Sequence, residues 1–229
     1  MSDPRVSRGL ERQLARRSEL ISAGRSHLGW KAGFGAPSSL ERFGLDAPLI
    51  GFMTDASVIA DGADVDITGW GRSVAEPEIF VRLDADLPAG AGVESTRAAI
   101  ASLGPALELA NIDPPPEEVE EILAGNIFHE WVVLGDADPN RRGADLSGLE
   151  ARVTVDGEEI HRTTRLEDLT GRIVEVVSHL SALLCDNGER MRAGDLVICG
   201  SVVPPIDLSP GTTVGFELYP LTPISVRAR

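Results

Sequence analysis

The sequence predicts a mixed α/β, β-rich fold, with many short strands and few long helices. Three observations predict it. The chain has 24 glycines and 15 prolines in 229 residues, which punctuate it too often for long helices. Aromatic residues make up only 4%, so Leu, Val, Ile and Ala must fill the core. Two carboxylate-bearing stretches, Ala75-Glu76-Pro77-Glu78-Ile79-Phe80-Val81 and Pro105-Ala106-Leu107-Glu108-Leu109-Ala110, read as strands.

Taken in order, residues 8–23 form an amphipathic helix, with Leu10, Leu14, Leu20 and Ile21 on one side and Gly24 as its stop. Residues 27–35 are extended, 37–46 a short helix, and 48–52 a turn into a strand. Residues 56–70 alternate as short strands joined by glycine turns, and the strand 76–83 follows. A second helix is expected over 94–103, with Ser95 as N-cap and Gly104 at its end. The strand 105–111 comes next. Pro114-Pro115-Pro116 then makes a rigid turn feeding an acidic helix start at 117–121. Beyond it lie an apolar strand at 132–134, a polar loop at 136–149, and a hairpin of 151–155 and 158–162 about Asp156-Gly157. A helix at 173–184 and strands near 196–201, 215–218 and 223–226 complete the chain. The expected organisation is one catalytic domain over 1–229, with a helical segment at roughly 5–25 and a β core at roughly 28–229.

A net charge of −15 and a pI near 4.6 argue against nucleic acid or an anionic membrane as partner. No run of about 18 apolar residues exists, so no membrane span or signal peptide is expected. Cys185 and Cys199 lack metal-like spacing and read as buried reduced thiols of a cytoplasmic protein.

The chemistry concentrates in the carboxylates. Glu76 and Glu78 leave the same face of a strand, and Pro77 pushes Glu76 toward extended backbone. Glu108 stands between Leu107 and Leu109, with small Ala106 and Ala110 on its own face. Carboxylates converging on one site repel, and a hard divalent cation, Mg²⁺ or Mn²⁺, relieves the conflict. Spacing alone also allows a solvated Glu-x-Glu strand and a neutral buried Glu108. Lys31 is the only lysine, against 20 arginines. Keeping a compact ammonium there points to a role for it, and an apolar strand is expected to lower its pKa. Asn126 either points into a site or serves a turn. His129 and Glu130 are neighbours on a strand and face opposite sides, so His129 reads as structural, and His179 as a packed residue.

Five stretches together resemble the fumarylacetoacetate hydrolase superfamily, in its 2-keto-4-pentenoate hydratase and 4-oxalocrotonate decarboxylase branch. They are Gly29-Trp30-Lys31-Ala32-Gly33, Glu76-Pro77-Glu78, Pro105-Ala106-Leu107-Glu108, Asn126 before Val133-Leu134-Gly135, and Ala193-Gly194-Asp195 through Gly200-Ser201. The resemblance implies a mixed β-sandwich roll with peripheral helices, and a homo-oligomer. It implies that Glu76, Glu78 and Glu108 hold Mg²⁺ or Mn²⁺ and that Lys31 is catalytic beside a bound 2-oxo acid. Substrate contacts are expected at Lys31, Leu49, Asn126, Arg165 and Ser201. The implied reaction is hydration of a 2-hydroxy-dienoate through a metal-stabilised enolate. Decarboxylation of a 2-oxo dicarboxylic acid on the same scaffold, or a catalytically altered member, is the alternative. The chain departs from the family at Leu49, where hydratases carry an acid, at Thr163-Thr164-Arg165-Leu166, and at Gly171-Arg172.

Overall fold

The computed structural model describes residues 3–113 and 117–229; the expected Pro114–Pro116 turn lies outside them. Helix α1 (Pro4–Ser22) starts four residues before the period-based expectation, because Asp3 caps it and Pro4 supplies a preset first turn. The chain continues through β1 (His27–Gly33), α2 (Pro37–Phe43), β2 (Leu49–Thr54), β3 (Val58–Ile59), β4 (Ala63–Val65) and β5 (Ser73–Leu83). Helix α3 (Val93–Ala99) precedes the long strand β6 (Ile100–Asn111), and then come α4 (Val119–Ala124) and β7 (His129–Leu134). The hairpin β8 (Glu150–Val155) and β9 (Glu158–Thr163), helix α5 (Ile173–Asp186) and strands β10 (Leu196–Ser201), β11 (Ile206–Asp207), β12 (Thr213–Tyr219) and β13 (Ile224–Ala228) complete it.

One expectation fails at α3. The helix expected over 94–103 stops at Ala99, and it opens at Gly92 rather than Ser95. Residues 100–104 extend β6 instead, where Leu103 pairs with Val81 and Gly104 with Phe80. Pairing along the whole of β5 outweighs the local helical preference.

Among the described residues, an eight-stranded sheet runs β2-β1-β10-β5-β6-β7-β3, with β11 on β5, and a five-stranded sheet runs β4-β13-β12-β8-β9. One face of the larger sheet carries Ala75, Ile79, Val81, Leu107, Leu109 and Val133. These pack with Val153, Val214, Phe216 and Val226 of the smaller sheet and with Val177 and Leu180 of α5 in one buried core. The other face carries Lys31, Glu76, Glu78, Phe80 and Glu108. It curls on itself, so that Lys31 on β1 touches Glu108 on β6, three ladder steps away in the strand order.

Two side-chain amides hold the curl. Asn126 accepts the Phe52 N–H at 2.8 Å and donates to the Phe52 carbonyl at 2.9 Å, tying edge strand β2 to the segment entering β7. Gln13, fully buried in α1, donates to Ile50 O and Leu123 O, locking α1 over β2 and α4. Arg8 and Arg12 of α1 pair with Glu120 and Glu121, so the acidic run meets the arginine-rich helix. No helix among the described residues is long and apolar enough to cross a membrane.

Asn126→Ala removes both bonds to Phe52 and leaves buried backbone groups without partners. The expected loss is about 2–3 kcal/mol, read as a thermal midpoint lower by roughly 4–12 °C.

Candidate metal centre

The register of β5 on β6 sets Glu76 directly opposite Glu108 and Glu78 opposite Ala106. Because residues two apart share a face, all three carboxylates leave the same side of the sheet. One oxygen from each lies within 4.8 Å of the others. Glu78 and Glu108 are buried, while Glu76 is half-buried and opens, with Glu78 and Lys31, onto a cleft of about 720 Å³. Phe34, Ile112, Phe128 and Pro204 form apolar parts of its wall, and Arg42 and Arg72 supply cations to it.

Donors hold two of the carboxylates. Glu108 Oε1 accepts from the Lys31 ammonium and lies 2.8 Å from His129 Nδ1. Its Oε2 is buried with no hydrogen-bond partner. Glu78 Oε2 accepts the Gly200 N–H at 2.6 Å. Gly51, across from Lys31, leaves room for it: a Cβ there would stand 2.8 Å from Lys31 Cγ.

Burial and mutual repulsion dominate the electrostatics. Burial and the neighbouring Glu108 push Glu76 up to about 7, against the pull of Lys31 and Arg72. Glu78 is raised well above the carboxylate range by burial, then by Glu108 and Glu76. Burial also acts to raise Glu108, but Lys31 and His129 outweigh it and hold its pKa low. Lys31 departs from expectation. Burial does act to lower its pKa, yet Glu108, Glu76 and Glu78 together raise it. The apolar strand was legible in the sequence, whereas the three counter-charges were not.

A divalent cation fits this arrangement. The donors are all carboxylate oxygens, the set preferred by Mg²⁺ and Mn²⁺. Glu108 presents a buried oxygen with nothing to accept from. Two of the three carboxylates are driven toward protonation even with the Lys31 ammonium beside them, so a further positive charge suits the site.

The other candidate residues divide. Ser201 lines the cleft, but its hydroxyl is engaged with backbone, 2.6 Å from Val203 O and 3.2 Å from Pro77 O. Asn126 is committed to Phe52, while its neighbours Ile127 and Phe128 face the cleft. Leu49 is not brought to the cleft: it packs with Val6, Phe43, Ile122 and Leu123 beneath α1 and α4. Arg165 is also elsewhere, with an exposed side chain paired to Asp168 at 3.2 Å. Leu169 and Thr170 of the following turn reach the cleft in its stead. Both cysteines are free thiols; Cys199 is buried beside the cleft and Cys185 is only half-buried. Strand alternation predicts for His129 only that it faces away from Glu130, and gives no sign that the ring meets Glu108. It does face away from Glu130, but an irregularity between Leu109 and Ala110 sets it opposite Ala110, on the Glu108 face. Nothing in the local sequence signals that bulge.

Two buried carboxylates, a half-buried third and a buried lysine thus gather inside a curled mixed sheet. The chain belongs to the fumarylacetoacetate hydrolase family: the sequence model of the fumarylacetoacetate (FAA) hydrolase C-terminal family matches residues 33–227. It is 24% identical over 209 residues to a 4-oxalocrotonate decarboxylase of Pseudomonas sp., spanning 90% of this chain and 80% of that one. It is 25% identical over 194 residues to the 2-keto-4-pentenoate hydratase of Paraburkholderia xenovorans LB400, spanning 83% and 72%. The 4-oxalocrotonate decarboxylase of Pseudomonas putida G7, solved with magnesium and adipate, shares the fold with a TM-score of 0.86 and 22% identity over 95% of this chain and 83% of that one.

In metal-free protein, the folded state takes up a proton at Glu76 between pH 4.5 and about 7 that the unfolded chain does not. The stability linked to it is fully present below the unfolded value and is lost as pH rises through about 7. Thermal midpoints in EDTA are therefore expected to fall more steeply from pH 5 to 8 for wild type than for Glu76→Gln. Equal slopes would contradict the raised Glu76.

Proposed function

We propose that this chain is a divalent-metal-dependent lyase acting on a small 2-oxo acid, with Mg²⁺ or Mn²⁺ held by Glu76, Glu78 and Glu108. The observation that carries this reading is the buried carboxylate cluster with Lys31 at the inner end of the cleft. When bound, the cation supplies a Lewis acid that takes up negative charge at the 2-oxo oxygen and a template for the adjoining carboxylate. The chain's own groups do the rest. Lys31 holds its ammonium against Glu108, where it can meet the substrate carboxylate or pass a proton. Phe34, Ile112, Phe128 and Pro204 keep part of the cleft wall apolar and limit water around the reacting carbons.

Of two reactions, loss of CO₂ from a 2-oxo dicarboxylic acid of the 4-oxalocrotonate type fits better. Leu49 leaves the chain without the acid that the resembled hydratases carry at that position, and it is sealed in the core. Arg42 and Arg72 line the cleft, Arg72 already paired through Nε with Asp207 at 2.8 Å, and suit a substrate with a second carboxylate. Hydration of a 2-hydroxy-dienoate of the 2-keto-4-pentenoate type is the second reading, supported by the Paraburkholderia relative. One catalytic domain in a cytoplasmic homo-oligomer belongs to the same proposal.

With Mg²⁺ or Mn²⁺ present, 4-oxalocrotonate is expected to release CO₂, and EDTA to stop the release. Loss of diene absorbance from 2-hydroxypenta-2,4-dienoate without CO₂ would move the assignment to the hydratase. Inertness toward both substrates with metal bound would overturn the lyase reading. Lys31→Met is expected to keep the metal and lower kcat by about 10²–10⁴-fold, the range for losing a proton-transfer group. Undiminished turnover would make Lys31 a framework residue.

A further inference from the structure

Three features of the chain converge on His129. The segment entering β7 turns through three consecutive non-glycine residues in the left-handed region, Asn126, Ile127 and Phe128, with φ of 59°, 53° and 62°. Residues with a Cβ seldom adopt this backbone; Asn tolerates it, whereas β-branched Ile127 is among the least suited to it. Asn126 anchors the turn on Phe52, and Ile127 fills the space beside Gly33, where a Cβ would stand 2.8 Å from Ile127 Cγ2. The register irregularity of β7 on β6 follows at once. Turn and bulge together deliver the imidazole of His129 to Glu108, with Nδ1 2.8 Å from Oε1.

The imidazole is nearly sealed, with 3% of its side chain exposed. Its other nitrogen, Nε2, is buried and has no partner. An orphaned buried nitrogen carries a desolvation cost that an apolar side chain in the same space would not. The polar contact the ring makes is with Glu108. An ionised carboxylate only accepts, so Nδ1 carries the hydrogen. Lys31 and His129 thus place both donors on the same oxygen of Glu108, and Oε2 is left bare. Glu78 Oε2 likewise accepts from a fixed donor, the Gly200 N–H.

We propose that His129 is a positioning residue for Glu108: its Nδ1–H, with the Lys31 ammonium, pins Oε1 and turns Oε2 toward a divalent cation. This rests on the metal-centre reading above. A ligand held by such a partner binds its ion in a prepared orientation, and loss of the partner weakens binding about 10–100-fold.

Calorimetric titration of the full chain with Mn²⁺ tests it, alongside thermal midpoints in EDTA to confirm that each variant folds. His129→Leu fills the space without a donor, whereas His129→Asn keeps an N–H near the Nδ1 position. The leucine variant is expected to bind Mn²⁺ about 10–100-fold more weakly, and the asparagine variant to stay within about threefold of wild type. If leucine does not fold, His129→Ala supplies the donor-free comparison. Donor-free variants that bind as tightly as wild type, or an asparagine variant no better than leucine, would overturn the positioning role while leaving the metal centre standing. Wild-type protein that takes up no Mn²⁺, or Glu108→Gln binding as well as wild type, would remove the metal centre and this role with it.

Discussion

The ion pair between Lys31 and Glu108 spans the interior of the curled sheet, and the rest of the structure is arranged about it. Lys31 sits on β1 and Glu108 on β6, and both are almost wholly shielded from water. A buried pair of this kind is costly, since each desolvated charge costs several kcal/mol, and Glu108 Oε2 is still left without a partner. The curl is therefore more than a shape. It brings an ammonium to a carboxylate that would otherwise be stranded, and Asn126 and Gln13 close the seam that keeps it so.

One ammonium does not balance the site. With three carboxylates ionised, two negative charges remain, which matches one divalent cation. Without such an ion the strain appears as protonation: Glu76 and Glu78 are pushed up, while Glu108, next to Lys31 and His129, stays ionised. The asymmetry has a structural cause. Glu108 lies at the centre of the donors, Glu78 has one backbone N–H, and Glu76 opens onto the cleft. The carboxylate nearest the cleft is thus held with a pKa near neutrality.

The scaffold accepts local conflict to build this. Three left-handed residues precede His129, and Gly51 withholds a side chain so that Lys31 can pass. Such departures from local preference are tolerated where surrounding contacts over-determine the backbone. Here the contacts are the Asn126–Phe52 pair on one side and the packing of Ile127 against Gly33 on the other. The apolar face of the same sheet, joined to the smaller sheet and α5, supplies the burial that holds the conflict in place.

The sequence by itself determined the elements with strong local periods or turn chemistry. The Asp156-Gly157 hairpin, the apolar stripe of α5 and the helix ended by Gly24 follow from rules acting over a few residues. It also placed Glu76 and Glu78 on one face, because strand alternation is local, and five ordered stretches pointed to the family. Tertiary structure alone decided the rest. β6 took residues 100–104 from the expected helix because β5 offered a longer ladder. Leu49 went into the core and Arg165 into solvent, since neither position's burial follows from its neighbours in sequence. Lys31 gained rather than lost affinity for its proton because its counter-charges come from strands far along the chain. His129 joined Glu108 through a register bulge, and register is a property of two strands, which no single stretch encodes.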